Sequence, residues 1–344
     1  MKKILPIEVQ HKINNQLCNA GFLCILLAYK NMYEWFYEHY VQLYFSSNKR
    51  VLYSEYYEMF LDFYGGWTDP RELFKVSTLN RKDVEQYNCA SFESLIEEGK
   101  YIYCYVDEHY IQDVPHNSHD ILVYGYDNET KIFEVIGFKD GFFQNYQVEY
   151  QTFLKAFQSG IEMSKKYDTH QGINYIFCIK PNFDEKTEYK FNMICFLERL
   201  KEFIGCIDSG ELYKSDDPNH KMYEKEGNVF GLKVFQCLTE ELEHCKKALG
   251  LIDYRAFHTL YEHNVIMKER LELFQEKIPG NKMTPAMQTS MEELVSLSNK
   301  LRMLAIKYNL KPDMESMNRI IKKTNSLYDL EKKIYTQIYS SLSV

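Results

Sequence analysis

The sequence predicts a mixed α+β protein, with an antiparallel, strand-rich N-terminal half and an α-helical C-terminal domain. Before residue 180 the apolar runs are short, aromatic and β-branched, and Asp/Asn-rich turns separate them. Beyond Pro181-Asn182-Phe183-Asp184 nearly every segment carries helical periodicity. The length of 344 residues fits two domains, at about 150 residues each. The boundary is therefore set at the Pro181 punctuation, giving domains 1–182 and 183–344.

The elements follow in order. Leu17 to Met32 holds the longest apolar run and reads as a helix. Tyr101 to Val106 reads as a strand. Ile121 to Tyr126 and Ile132 to Ile136 flank Asp127-Asn128-Glu129-Thr130 and form a hairpin. Tyr146 to Val148 and Tyr175 to Ile179 are further strands, and Tyr150 to Gln158 is an amphipathic helix. The second half predicts helices near 187–206, 229–249, 253–277, 285–308 and 313–341, with a polar loop at 209–227. Thr284-Pro285 is an N-cap followed by Pro at the first helical position. Pro279-Gly280 and Pro312 mark the turns.

Composition excludes several classes. Hydrophobic residues at 45% and charged residues at 26% rule out a disordered chain or a coiled-coil rod. A net charge of -8 and the lack of a basic run argue against nucleic acid as a partner. The longest apolar run, Gly21 to Tyr29, is too short to span a membrane, and the first residues do not form a signal peptide. The cytoplasm is the expected compartment. Nine cysteines without a C-x-x-C pair predict free thiols rather than a disulfide framework or a zinc site. The 29 Tyr and 22 Phe exceed what a core needs, so some rings are expected to line clefts.

Two segments carry chemistry. In Gln16-Leu17-Cys18-Asn19-Ala20-Gly21-Phe22 polar residues give way to an apolar run at Cys18. A helix starting there puts Cys18 in its first turn, where unpaired amides and the positive end of the dipole favour a thiolate. The same amides can hold an oxyanion. A cysteine that merely fills the top of a buried helix is the simpler explanation of this segment taken alone. In Ser118-His119-Asp120-Ile121-Leu122-Val123-Tyr124-Gly125-Tyr126-Asp127 a histidine stands at the entrance of an apolar strand. That position suits a general base, although a structural histidine bonded to a carbonyl explains it when taken alone. Together the two segments give an early Cys on a helix and a His about 100 residues later on a strand, the chain order of papain-like folds.

These residues resemble the cysteine-protease-like family named after the butirosin biosynthesis acyltransferase, whose fold is related to papain-like peptidases. The matching pieces are Cys18 to Tyr29, Tyr105-Val106-Asp107-Glu108-His109-Tyr110-Ile111, and His119 to Asp127. The helical half is also similar, in Phe230 to Phe235 and in Asp253 to His258 through Glu262-His263. The chain is further similar to protease-like, amide-forming enzymes of thioamide peptide assembly. The resemblance implies a papain-like catalytic domain and an acyltransferase of natural-product (antibiotic, non-ribosomal peptide-type) biosynthesis. It implies Cys18 as nucleophile and His119 as base. The acyl group would come from the phosphopantetheine thioester of an acyl or peptidyl carrier protein and pass to an amine. No bound cofactor and no metal are implied.

The sequence departs from that pattern in its third catalytic member. The strand after the His strand ends in Val135-Ile136-Gly137-Phe138, without the usual acid. Asp140 and Asp107 are the candidates to orient His119, with Glu134 a weaker one and a bare Cys–His dyad a further option. The position six residues before the cysteine is Lys12 where protease relatives carry a glutamine. Gln16 and Asn19 are therefore the candidate oxyanion-side residues. A peptidase, amidase or thioesterase using the same Cys–His pair is one alternative, and a non-catalytic binding protein on a protease-like scaffold is another. A metal site at His258, Glu262 and His263, with His244 and Cys245 on the preceding helix, is weaker than a solvated helical face. The helical half has three open roles: docking the carrier protein, capping the cleft, or forming a homodimer.

Overall fold

A computed structural model of the chain describes residues 1–46, 56–57, 59–64, 73–80, 84, 86–166, 175–212, 227–277 and 284–343. The architecture is mixed α+β with antiparallel sheets, as the sequence predicts. The chain forms two units, Met1–Tyr33 with Asp69–Glu188, and Glu34–Thr68 with Tyr189–Val344. These units divide the chain differently from the single boundary expected at 182/183. A stretch of the N-terminal half joins the helical unit because its strand pairs with residues 228–230.

The first unit opens with β1 (Lys2–Ile4), α1 (Leu17–Leu26) and a 3₁₀ turn at Lys30–Met32. The helix expected through Met32 thus stops six residues early. The chain then gives α2 (Tyr33–Glu38), β2 (Leu43–Ser46), β3 (Tyr56–Tyr57) and β4 (Leu61–Phe63), which belong to the second unit from Glu34 onward. It returns to the first unit with β5 (Phe74–Asn80), α3 (Cys89–Glu97), β6 (Tyr101–Asp107), β7 (Ser118–Asp127), β8 (Ile132–Lys139), β9 (Phe142–Glu149), α4 (Tyr150–Lys166) and β10 (Tyr175–Pro181). These strands form one antiparallel sheet in the order β5-β10-β6-β7-β8-β9, and β1 also pairs with β7.

The sheet is covered on both faces. Leu122 of β7 lies 3.6 Å from where a Cβ on Gly21 of α1 would stand. Ile136 pairs with Leu122 in register, so both face α1. Phe133, three positions from Ile136 on β8, faces the other way and packs edge-on against Phe92 of α3 at 5.9 Å. Phe153 of α4 closes the same cluster at 4.9 Å. Gly160 lets α4 lie directly on β6, because a Cβ there would come within 3.1 Å of the Tyr105 carbonyl and the Val106 Cα.

The second unit continues with α5 (Met193–Gly205), α6 (Ser209–Leu212), β11 (Asn228–Phe230), α7 (Val234–Ala248), β12 (Leu251–Ile252), α8 (Arg255–Lys277), α9 (Pro285–Leu310) and α10 (Met314–Leu342). β11, β2 and β4 form a small antiparallel sheet, and β12 pairs with β3 in parallel. The Thr284 side chain accepts from the Met287 amide at 3.3 Å with Pro285 at the helix start, which is the predicted cap. The expected turn at Pro279-Gly280 and most of the expected 209–227 loop lie outside the described residues. Among the described residues no helix is long and apolar enough to cross a membrane.

Candidate active site

Helix α1 begins at Leu17, after Gln16 in extended conformation, and Cys18 is its second residue, as the sequence predicts. Every residue of α1 except Cys18 is buried. The first internal helical bond runs from the Ala20 amide to the Gln16 carbonyl at 3.0 Å. The amides of Leu17 and Cys18 precede it, so they belong to the turn where helix N–H groups point outward. The Gln16 side chain makes no capping bond, which leaves that end of the helix undressed by its own cap. Gln10 pins the preceding loop: its Nε2 donates to the Ile13 carbonyl at 2.8 Å and the Ala20 carbonyl at 3.4 Å. Its Oε1 accepts from the Lys12 and Ile13 amides.

His119 lies near the start of β7. Strict alternation sends its side chain away from α1, but near the strand end its ring reaches Asp120, with Nδ1 at 2.8 Å from Oδ1 and 3.2 Å from the backbone carbonyl. Phe138 meets the imidazole edge-on at 5.9 Å. Asp120 shares its face with Leu122 and therefore faces α1. Its Oδ2 accepts a hydrogen bond from the hydroxyl of Tyr103, which pairs with Leu122 in register. Cys18 is an electrostatic neighbour of that same hydroxyl. Burial, then Asp120, Tyr105 and Cys18, push the Tyr103 hydroxyl well above the ordinary tyrosine range. Tyr103 thus donates to the Asp120 carboxylate and also feels the charge of Cys18.

The acid–base pair is strongly polarised. Burial alone would lower the His119 pKa, but the Asp120 carboxylate and its hydrogen bond outweigh it and raise the ring to about 9. Burial alone would raise Asp120, but His119 and the bonds from the ring and from Tyr103 hold it below the usual carboxylate value. At neutral pH the pair is therefore imidazolium and carboxylate. About a third of the imidazole surface is exposed, 33%, so the ring is open on one side. Among the described residues the ring's hydrogen bonds run through Nδ1 to Asp120, which leaves Nε2 as the other ring nitrogen.

Of the acids expected to orient His119, none bonds to it among the described residues. Asp107 is fully buried, and its Oδ2 accepts from His116 Nδ1 at 2.7 Å and from Ser159 Oγ at 2.6 Å. Its Oδ1 accepts from the His109 and Asn117 amides. It ties down the 108–117 loop. Asp140 is an exposed turn residue with left-handed backbone, φ 53°, and its amide donates to Gln112. Glu134 accepts from Gln147 at 2.8 Å. The acid on His119 is Asp120, which the sequence reading passed over although it stood in the quoted motif. Neighbouring strand residues normally point to opposite faces, so an adjacent acid is not an obvious partner. Of the oxyanion candidates, Gln16 contributes its carbonyl to the helix start and Asn19 is buried within α1.

All nine cysteines are free thiols, as expected. Burial pushes Cys24 up to about 12 and Cys178 up to about 11, and raises Cys89, Cys104, Cys237 and Cys245 as well. Those thiols are poor nucleophiles at neutral pH. In the second unit, His258 is taken by Glu262 at 3.1 Å and by Arg302 at 3.0 Å, and His263 Nε2 by the Val41 carbonyl at 2.8 Å. The weak metal reading of that helix therefore finds its groups bonded to protein partners. Compared with known proteins, the chain matches no family model, and no curated protein matches it.

Proposed function

We propose that the protein is a cysteine-dependent acyltransferase that forms an amide, with Cys18 as nucleophile, His119 as proton carrier and Asp120 as the acid that orients it. The observation that carries this reading is the polarity of the site. The one residue of α1 that is not buried is a cysteine in the first helical turn, and an Asp-bound imidazolium lies on the sheet that this helix covers. A positive helix end lowers a thiol pKa, and an imidazolium that reaches the thiol lowers it further. On this reading the resting pair is a thiolate and an imidazolium.

The thiolate attacks the carbonyl of a carrier-bound pantetheine thioester, and the C–S bond to pantetheine breaks. Nε2 of His119 gives its proton to the departing thiolate. One thioester replaces another, so the acyl group stays activated. An amine then attacks acyl-Cys18, His119 takes the proton, and the Cys18 thiolate is released as the amide forms. The outward amides of Leu17 and Cys18 are the oxyanion donors this reading uses. The papain-like relationship, the carrier protein and the natural-product setting rest on the sequence resemblance.

The test is turnover of an acyl-pantetheine thioester with and without an amine. Amide formation that needs Cys18 and exceeds hydrolysis supports the proposal. Hydrolysis alone, at the same rate with or without amine, would replace it with a thioesterase or peptidase.

A further inference from the structure

The second unit holds a different convergence, built from residues that the proposed reaction does not use. Helix α2 ends at Glu38, and His39 follows it. Cys195 lies in the first turn of α5, whose N-cap Asn192 accepts from the Ile194 and Cys195 amides at 3.0 and 3.4 Å. One donor atom from each of Glu38, His39 and Cys195 lies within 4.8 Å of the other two.

The surroundings fix these groups. Glu38 is buried at 2% exposure, and its Oε1 accepts from the Tyr189 hydroxyl at 2.7 Å. Its Oε2 accepts from the Asn192 amide at 2.7 Å. The His39 ring stacks on Trp35 at 4.0 Å and holds Nδ1 at 2.9 Å from the Trp35 carbonyl. An imidazole with one ring nitrogen on a backbone carbonyl, and a carboxylate held by outer hydrogen bonds, is how metal-binding side chains are oriented. Arg199, whose charge reaches His39, pairs with Glu202 at 3.8 Å.

We propose that Glu38, His39 and Cys195 form a binding site for a divalent transition-metal ion of the zinc class. The donor set selects the ion. Thiolate and imidazole favour zinc, cobalt or copper over magnesium and calcium, which take oxygen ligands. A carboxylate and a thiolate together neutralise a divalent charge. Three protein ligands leave the fourth tetrahedral position for water. Ligands of a tetrahedral zinc ion stand about 3.5 Å apart, so donors within 4.8 Å of one another close by at most about 1.3 Å on binding, within reach of small side-chain rotations. The sequence hid this set because Cys195 is far from the Glu38-His39 pair along the chain and matches no short zinc motif.

Cobalt titration of chelator-treated full-length protein tests it, because cobalt bound to a thiolate gives a near-ultraviolet charge-transfer band. The expected result is one cobalt per chain, displaced by zinc, with the band lost in Cys195→Ser and in His39→Gln. The band is expected to persist in Cys18→Ser and in Cys206→Ser. Circular dichroism verifies that each variant is folded. Should His39→Gln fail to fold, Cys195→Ser alone decides, since it removes one sulfur from a partly exposed position. No band on the wild-type protein, or a band that survives Cys195→Ser, overturns the proposal. A band lost in Cys18→Ser instead moves the metal to the other unit and overturns it equally.

Discussion

Asp120 meets His119 at 2.8 Å and Asp107 meets His116 at 2.7 Å, yet the two pairs differ in everything around them. The Asp107 carboxylate divides itself among four donors, His116, Ser159 and the amides of His109 and Asn117. Its imidazole, that of His116, is 57% exposed and lies 4.1 Å from the His109 ring, tilted by 40°. Asp120 has two side-chain donors, the His119 ring and the Tyr103 hydroxyl, and it faces the helix that carries Cys18. The first carboxylate fastens a loop, and the second polarises a ring. A short Asp–His distance therefore does not identify a catalytic pair. What separates them is how many donors share the carboxylate and whether the helix that carries Cys18 packs on the same face.

This contrast can be broken by substitution. Cys18→Ala has the largest expected effect: acyl transfer should fall by roughly 10⁴-fold or more, with an unchanged melting temperature. Asp120→Asn should cost about 10² to 10⁴-fold in acyl transfer, because the ring loses its orienting charge. The same change should lower the alkaline limb of the pH–rate profile from about 9 toward the ordinary histidine value of 6.5. Asp107→Asn should do the opposite. It should destabilise the fold by about 1–3 kcal/mol in denaturant titration, through several buried donors left poorly matched, while activity per folded molecule stays within a few-fold. Tyr103→Phe should slow transfer by about 3- to 10-fold, the value of one hydrogen bond of about 1 kcal/mol held at one remove from the reacting atoms. His116→Ala should be nearly silent in activity assays. Equal losses of activity from Asp107→Asn and Asp120→Asn would erase the distinction.

The pH dependence of stability sharpens it further. A histidine whose folded pKa is raised stabilises the fold fully below its unfolded value of 6.5 and loses that contribution as pH rises through about 9. Asp120, with its pKa depressed, describes the same ion pair from the acid side: its contribution is present above 3.8 and is lost as pH falls through the folded value. Wild-type protein should therefore lose stability between about pH 6.5 and 9, and Asp120→Asn should flatten that slope.

Much of this arrangement was legible in the chain. The switch from polar to apolar at Cys18 located the helix start, and the apolar run after His119 located β7, because both signals are periodic and local. The Thr284-Pro285 cap worked for the same reason. What was not legible is tertiary. β2 and β4 are three or four residues long; β2 takes its place by pairing with β11, with Tyr44 opposite Phe230, and β4 by pairing with β2, so the insertion into the helical unit left no local trace. β1 was missed likewise, although its position is enforced: a Cβ at Gly125 would meet Ile4 Cδ1 at 2.6 Å. Asp120 escaped because its role depends on the turn of one imidazole near a strand end, which alternation does not predict.

The most direct measurement is the pH dependence of Cys18 alkylation by iodoacetamide, followed residue by residue by peptide mass mapping. The account predicts that Cys18 reacts far ahead of the other eight thiols, with an apparent pKa well below the ordinary 8.5, and that Asp120→Asn moves it upward. A Cys18 that titrates near 8.5 and ignores the loss of Asp120 would contradict it.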